Sequence, residues 1–82
     1  MFKSMGLVEL NSVARGILAA DEMVKEANVE LVSARSVCPG RYLIMVSGDT
    51  GAVKRAVDKG CISADEFIVD HFVLPNIHPD VF

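Results

Sequence analysis

The stretch Ser33-Ala34-Arg35-Ser36-Val37-Cys38-Pro39-Gly40-Arg41-Tyr42 joins two apolar runs through a Cys-Pro-Gly turn. Proline fixes φ near about −65° and suits the second position of a tight turn, while glycine accepts φ > 0, so Pro39-Gly40 reads as a reversal of chain direction. Val29 to Val37 is rich in β-branched residues, and Tyr42-Leu43-Ile44-Met45-Val46 is nearly all apolar. Both read as strands. The turn therefore makes a hairpin, with the Cys38 thiol at a strand end beside its bend.

The flanking sequence repeats one arrangement on either side of this hairpin. Upstream, Gly6-Leu7-Val8-Glu9-Leu10 reads as a short strand, apolar on both faces apart from Glu9. Asn11 or Ser12 then offers an N-cap. Val13, Ile17, Ala20, Val24 and Ala27 recur at spacings of four and three, which predicts a helix with these residues on its buried face and Asn28 as its C-cap. Downstream, Ser47-Gly48-Asp49-Thr50 supplies a turn and an N-cap. Ala52, Val53, Ala56 and Val57 form a second stripe, predicting a helix over Thr50 to Lys59 closed by Gly60. After a loop from Cys61 to Asp65, Glu66 to Leu74 reads as a fourth strand stopped by Pro75, with an irregular tail from Asn76 to Phe82. The order strand, helix, strand, strand, helix, strand predicts one α+β domain over residues 1–82 of the ferredoxin-like class. It has a four-stranded antiparallel sheet, both helices on one face, and the other face bare.

Composition points the same way. The chain has 82 residues, of which 51% are hydrophobic and only five are aromatic. That is too apolar for disorder and implies surface kept for partners, first among them other copies of the chain. A net charge of −3 with scattered Lys and Arg gives no basic footprint, so nucleic acid and anionic membranes are excluded as expected partners. No apolar run approaches the ~20 residues of a membrane span, and the N-terminus lacks the apolar core of a signal peptide. The expectation is a cytosolic chain whose two cysteines, Cys38 and Cys61, are free thiols.

Cys38 reads as a metal or cluster ligand, a redox thiol, or a small core residue. A lone cysteine is ordinarily the last of these, but burial is hard to arrange beside Pro-Gly. One thiolate cannot hold zinc or an iron-sulfur cluster, which take about four ligands; three or more copies meeting at an axis would supply the rest. Arg41 either places positive charge near this tip or is a solvated turn arginine. Cys61 reads as packing, His71 as a packed or edge residue, and His78 as a contact residue. Gly48 to Arg55 lacks the Gly-Lys-Ser/Thr ending of a phosphate loop, and no Ser/His/Asp or Cys/His set has interpretable spacing. Nothing here reads as an enzyme.

Taken together, the chain resembles the bacterial microcompartment (BMC) shell domain, and more narrowly the first half of the tandem-domain trimeric shell proteins of the propanediol-utilisation type. The resemblance is carried by Gly6 to Leu10, Ala19 to Ala27, Cys38-Pro39-Gly40-Arg41-Tyr42, Gly48-Asp49 with Ala52-Val53, and Val73-Leu74-Pro75-Asn76-Ile77-His78-Pro79. It implies a flat hexagonal tile, a hexamer of single domains or a trimer of tandem domains, packed edge to edge with other shell proteins around metabolic enzymes in the cytoplasm. The family's pore loop falls on Cys38, Pro39, Gly40 and Arg41. Plain metabolite pores are Gly/Ser-rich there, whereas Cys38 matches the subclass whose pore cysteine, one per chain, holds a [4Fe-4S] cluster at the symmetry axis for electron transfer across the shell.

The same resemblance places Lys25, Asn76 and His78 at tile edges. Where the family often has Arg-Pro-His this chain has Asn76-Ile77-His78, so the histidine alone carries over. The tandem proteins continue into a second domain of similar size, so the chain is expected to be either a single domain or the first half of a longer protein. The alternatives are a metal-free selective metabolite pore, and a small ferredoxin-like regulatory or ligand-binding domain.

Overall fold

A computed structural model describes residues 3–77. The chain runs β1 (Lys3–Leu10), α1 (Val13–Glu26), β2 (Glu30–Cys38), β3 (Arg41–Gly48), α2 (Thr50–Ala64), a 3-10 turn (Asp65–Phe67) and β4 (Ile68–Ile77). All strand pairs are antiparallel, in the order β2-β3-β1-β4. This is the expected ferredoxin-like α+β layering.

The pleat of the two central strands decides which face is covered. Along β1 every second residue, Ser4, Gly6, Val8 and Leu10, is buried, and in β3 Ile44 and Val46 join them. Both helices lie on that side, contributing Ala19, Ala20 and Met23 from α1 and Val53, Ala56 and Val57 from α2. Fully burying side chains such as Leu10, Met23 and Ile44 stabilises the fold by roughly 1.5–3 kcal/mol each. Among the described residues nothing packs on the opposite side of the sheet, where Phe72 and Leu74 are exposed.

Four local expectations are corrected. The buried face of α1 is Gly16, Ala19, Ala20 and Met23, whereas Val13 and Ile17 are exposed and Val24 half-buried. The apolar arc of this helix is wider than its own sheet covers, and small residues won the inner position because Gly16 lies against the Tyr42 ring. The helix is capped by Ser12, whose Oγ accepts from the Arg15 N–H at 3.2 Å, and ends in the extended residue Ala27, with no left-handed turn at Asn28.

The second correction concerns α2, which continues through Gly60 to Ala64. A Cβ on Gly60 would lie 2.6 Å from Met23 Sδ and 3.2 Å from Val8 Cγ2, so this glycine serves close approach between layers. The residue ending the helix is Asp65, with a positive φ of 52°, whose N–H donates to the Cys61 carbonyl. Cys61 accordingly belongs to the helix and not to a loop.

The last two corrections fall at the C-terminal strand. The chain over Asp65–Phe67 forms a 3-10 turn before β4 begins at Ile68. Pro75 does not stop that strand, because β4 is an edge and its pairing with β1 slips between Lys3/Ile77 and Met5/Leu74. One extra residue in β4 forms a bulge that takes up both the missing proline N–H and the positive φ of Asn76. Asn76 and Ile77 are thus strand residues. The expected tail from His78 to Phe82 lies outside the described residues.

Candidate functional site

The β2–β3 hairpin carries the site. Cys38 closes β2, pairs in register with Arg41, and is exposed. Gly40 has φ +77°, the value a Pro-Gly turn requires, and a Cβ built on it would meet nothing within 4 Å. The tip is therefore open to solvent, and the turn is fastened at its base by the Ser36 hydroxyl, which donates to the Arg41 carbonyl at 3.2 Å.

Arg41 does not project from the tip with the thiol. Its guanidinium lies over the bare face of the sheet and donates to Glu9 Oε2 at 2.9 Å. The pairing offsets its charge locally. Sequence reasoning missed Glu9 as this partner. The signal was present, because Glu9 is the single polar residue in the apolar run from Gly6 to Leu10, but its target depended on the β1–β3 register that sets Glu9 beside Leu43.

The remaining expected site residues lie apart from the turn. Lys25, in the last turn of α1, is bonded to Asp21 Oδ2 at 2.8 Å, and that hydrogen bond and the carboxylate charge push its pKa up. Asn76 lies on β4, where its N–H donates to the Ser4 Oγ at 3.2 Å. Ser4, itself buried, also pairs with the hydroxyl of Thr50 at the head of α2. This network joins β1, α2 and the end of β4, and no sequence spacing signals it. His78 lies outside the described residues. His71 is exposed on the edge strand.

Cys61 lies half-buried on α2, where burial pushes its thiol pKa up and Asp58 adds to the effect. Among the described residues no three His, Cys, Asp or Glu side chains are grouped to hold a metal. The donor set for a cluster is therefore one exposed, sterically open thiol per chain. That fits a site assembled from several copies and excludes one built within a single copy from these residues. An open groove of about 280 Å³ between the helices, lined by Glu26, Arg55, Asp58, Lys59 and Ile62, mixes both charge signs and gathers none of the expected site residues.

The family model for the BMC domain matches residues 4–77. The chain belongs to the BMC domain family. Among curated relatives, this BMC domain is 46% identical over 81 residues to the bacterial microcompartment shell protein PduT of Citrobacter freundii, covering 99% of the chain but 44% of PduT. It is 42% identical over 82 residues to the shell protein PduA of the same organism, covering 96% of the chain and 87% of PduA. The crystal structure of a microcompartments protein from Desulfitobacterium hafniense DCB superimposes with a TM-score of 0.96 at 49% identity, over 99% of this chain and 45% of that one. The chain thus spans less than half the length of two of these relatives and most of the third. Among the described residues no helix is long and apolar enough to cross a membrane.

Proposed function

We propose that this BMC domain is a structural, non-enzymatic building block of a bacterial microcompartment shell in the cytoplasm. It assembles with copies of itself into a hexagonal tile and with other shell proteins edge to edge around encapsulated enzymes. The observation that carries this reading is the match of residues 4–77 to the BMC domain, a match spanning both helices and all four strands. The bare apolar face of the sheet supports it, because a soluble monomer rarely leaves such a face in water.

Within the tile, the Cys38-Pro39-Gly40-Arg41 loop lines the central pore, with the Arg41 side chain held back against Glu9, and Cys38 of each copy ligates a [4Fe-4S] cluster on the axis. The exposed thiol and the open Gly40 tip support this assignment, since copies can approach without steric obstruction. Such a cluster, when bound, supplies one-electron transfer. The chain's own part is to present the thiolate at a fixed strand end and to leave the axis accessible. Lys25 and Asn76 face neighbouring tiles in this reading, a role that the family resemblance also gives to His78.

Native mass spectrometry and iron analysis of anaerobically purified protein test both levels. The expected result is a trimer or hexamer with bound iron and visible charge-transfer absorbance, both lost in Cys38→Ser without loss of the oligomer. Colourless, iron-free oligomer would overturn the cluster and leave a metal-free metabolite pore. A monomer or dimer binding a small effector would overturn the tile in favour of a regulatory domain.

A further inference from the structure

The uncovered face of the sheet carries its charged side chains at the Cys38 end, and strand register fixes their order. Arg35 on β2, Leu43 on β3, Glu9 on β1 and Asp70 on β4 stand level across the sheet. Arg41 lies one step nearer the turn, two residues before Leu43 and paired in register with Cys38. Relative to Glu9 it is the diagonal neighbour on the adjacent strand, a separation of about 7–8 Å that a long side chain spans. Its guanidinium is drawn back from the turn to Glu9 Oε2, while Asp70 is engaged by the His71 N–H, which donates to its Oδ1. Resting on the pore-loop reading above, we propose that Glu9 is the positioning residue that sets the charge preference of this loop: by holding Arg41 against the sheet, it lowers the loop's attraction for anionic solutes.

Two features of the geometry carry this assignment. The first is that the pair matters little to the fold. The Arg41 and Glu9 side chains are 44% and 24% exposed, and exposed pairs of this kind contribute little to stability. What the pair decides is where the charge stands. The second is that, among the described residues, Glu9 is the single group holding the Arg41 guanidinium. Once released, this side chain extends from the residue paired with Cys38, beside a Gly40 tip where an added Cβ meets nothing within 4 Å.

Copies meeting at an axis multiply the consequence. A ring of arginines selects anions in a pore, and Glu9 in each copy replaces that ring with one of neutral pairs. Arg35 stands one step further from the turn and makes no ion pair among the described residues. It therefore supplies a constant background of positive charge, to which Arg41 would add.

The test reads the loop's charge preference on the Cys38 thiol of metal-free protein, in a Cys61→Ala background so that one thiol reacts. Rates are compared for two methanethiosulfonates, one bearing a sulfonate and the other a trimethylammonium group. Both react with the same thiolate, so the ratio of their rates does not depend on its degree of ionisation. In water a unit charge about 8 Å away changes the local concentration of a monovalent ion roughly two- to threefold, so Glu9→Gln is expected to raise the sulfonate-to-trimethylammonium ratio about fivefold at low ionic strength. In about 1 M salt, where the screening length falls to about 3 Å, the rise is expected to vanish. Glu9→Asp, which keeps the charge, is expected to stay close to the parent ratio. Arg41→Gln is expected to lower the ratio more in Glu9→Gln protein than in the parent, because only there does the guanidinium reach the turn. Glu9→Ser replaces Glu9→Gln should that variant lose the parent's mass in native mass spectrometry. A ratio unmoved by removal of the carboxylate, a rise that survives high salt, or equal effects of Arg41→Gln in both backgrounds overturns the role of Glu9 and leaves the pore reading standing. A parent chain that is itself monomeric overturns the pore reading, and the selectivity with it.

Discussion

Arg41, the first residue of β3, donates from Nη1 to Glu9 Oε2 on β1 at 2.9 Å, across the bare face of the sheet. The charge nearest the Cys38 turn is thereby held against the sheet and matched by a carboxylate.

The worth of this pair follows from its exposure. Both side chains are partly open to solvent in the isolated domain, and exposed pairs typically contribute at most about 1 kcal/mol. Glu9→Gln is expected to lower unfolding stability by no more than that, and to weaken the dependence of stability on salt. Urea titrations at low and high ionic strength measure both.

The two thiols are expected to separate by reactivity. In metal-free protein at neutral pH, Cys38 reacts promptly with an aromatic disulfide reagent and Cys61 slowly, because one is exposed and the other is half-buried with a raised pKa. Counting thiols released against time, with Cys38→Ser as the control, checks the assignment.

The raised pKa of Cys61 also has a sign in stability. Burial favours the neutral thiol in the fold more than in the unfolded chain. The stabilisation is complete below the ordinary thiol value of about 8.5 and is lost as pH rises through the raised value. Between those two values the parent is expected to lose stability with pH more steeply than Cys61→Ala, as read from denaturation midpoints across an alkaline series.

Two glycines should respond oppositely to the same substitution. A Cβ at Gly16 would run into the Tyr42 ring and lie 2.8 Å from its Cβ, whereas at Gly51 the nearest atom is Arg55 Nη1 at 3.6 Å. Gly16→Ala is expected to cost about 1–3 kcal/mol through overpacking, despite better helix propensity. Gly51→Ala should gain up to about 1 kcal/mol. Thermal melts of the two variants side by side decide it.

Removing the Ser4 hydroxyl should be disproportionately harmful for so small a change. Ser4→Ala withdraws the partner of both the Thr50 hydroxyl and the Asn76 N–H, and unsatisfied groups of this kind cost about 1–3 kcal/mol. Hydrogen exchange at Asn76 should accelerate in the variant, whereas exchange in β2 should not change.

The sequence by itself determined the layered architecture. Periodicity of two and of 3.6, punctuated by Pro39-Gly40 and by the caps Ser12 and Asp49, leaves few ways to order two helices and four strands, and the motifs sufficed to indicate the family. It also placed Cys38 at an exposed strand end, because the Cys-Pro-Gly turn is a local property. Only the tertiary structure decided the rest. Which arc of α1 faces inward was settled by the fit of Gly16 to Tyr42, not by Val13 and Ile17, which stay outside. Gly60 extended α2 where local rules would end it, since Met23 and Val8 require its missing side chain. Pro75 lay within β4 because an edge-strand bulge needs no N–H there. Glu9 found Arg41, and Ser4 found Thr50, through register across 32 and 46 residues of chain. Each is a contact between elements distant in sequence, and local propensity carries no information about such contacts until the layers have packed.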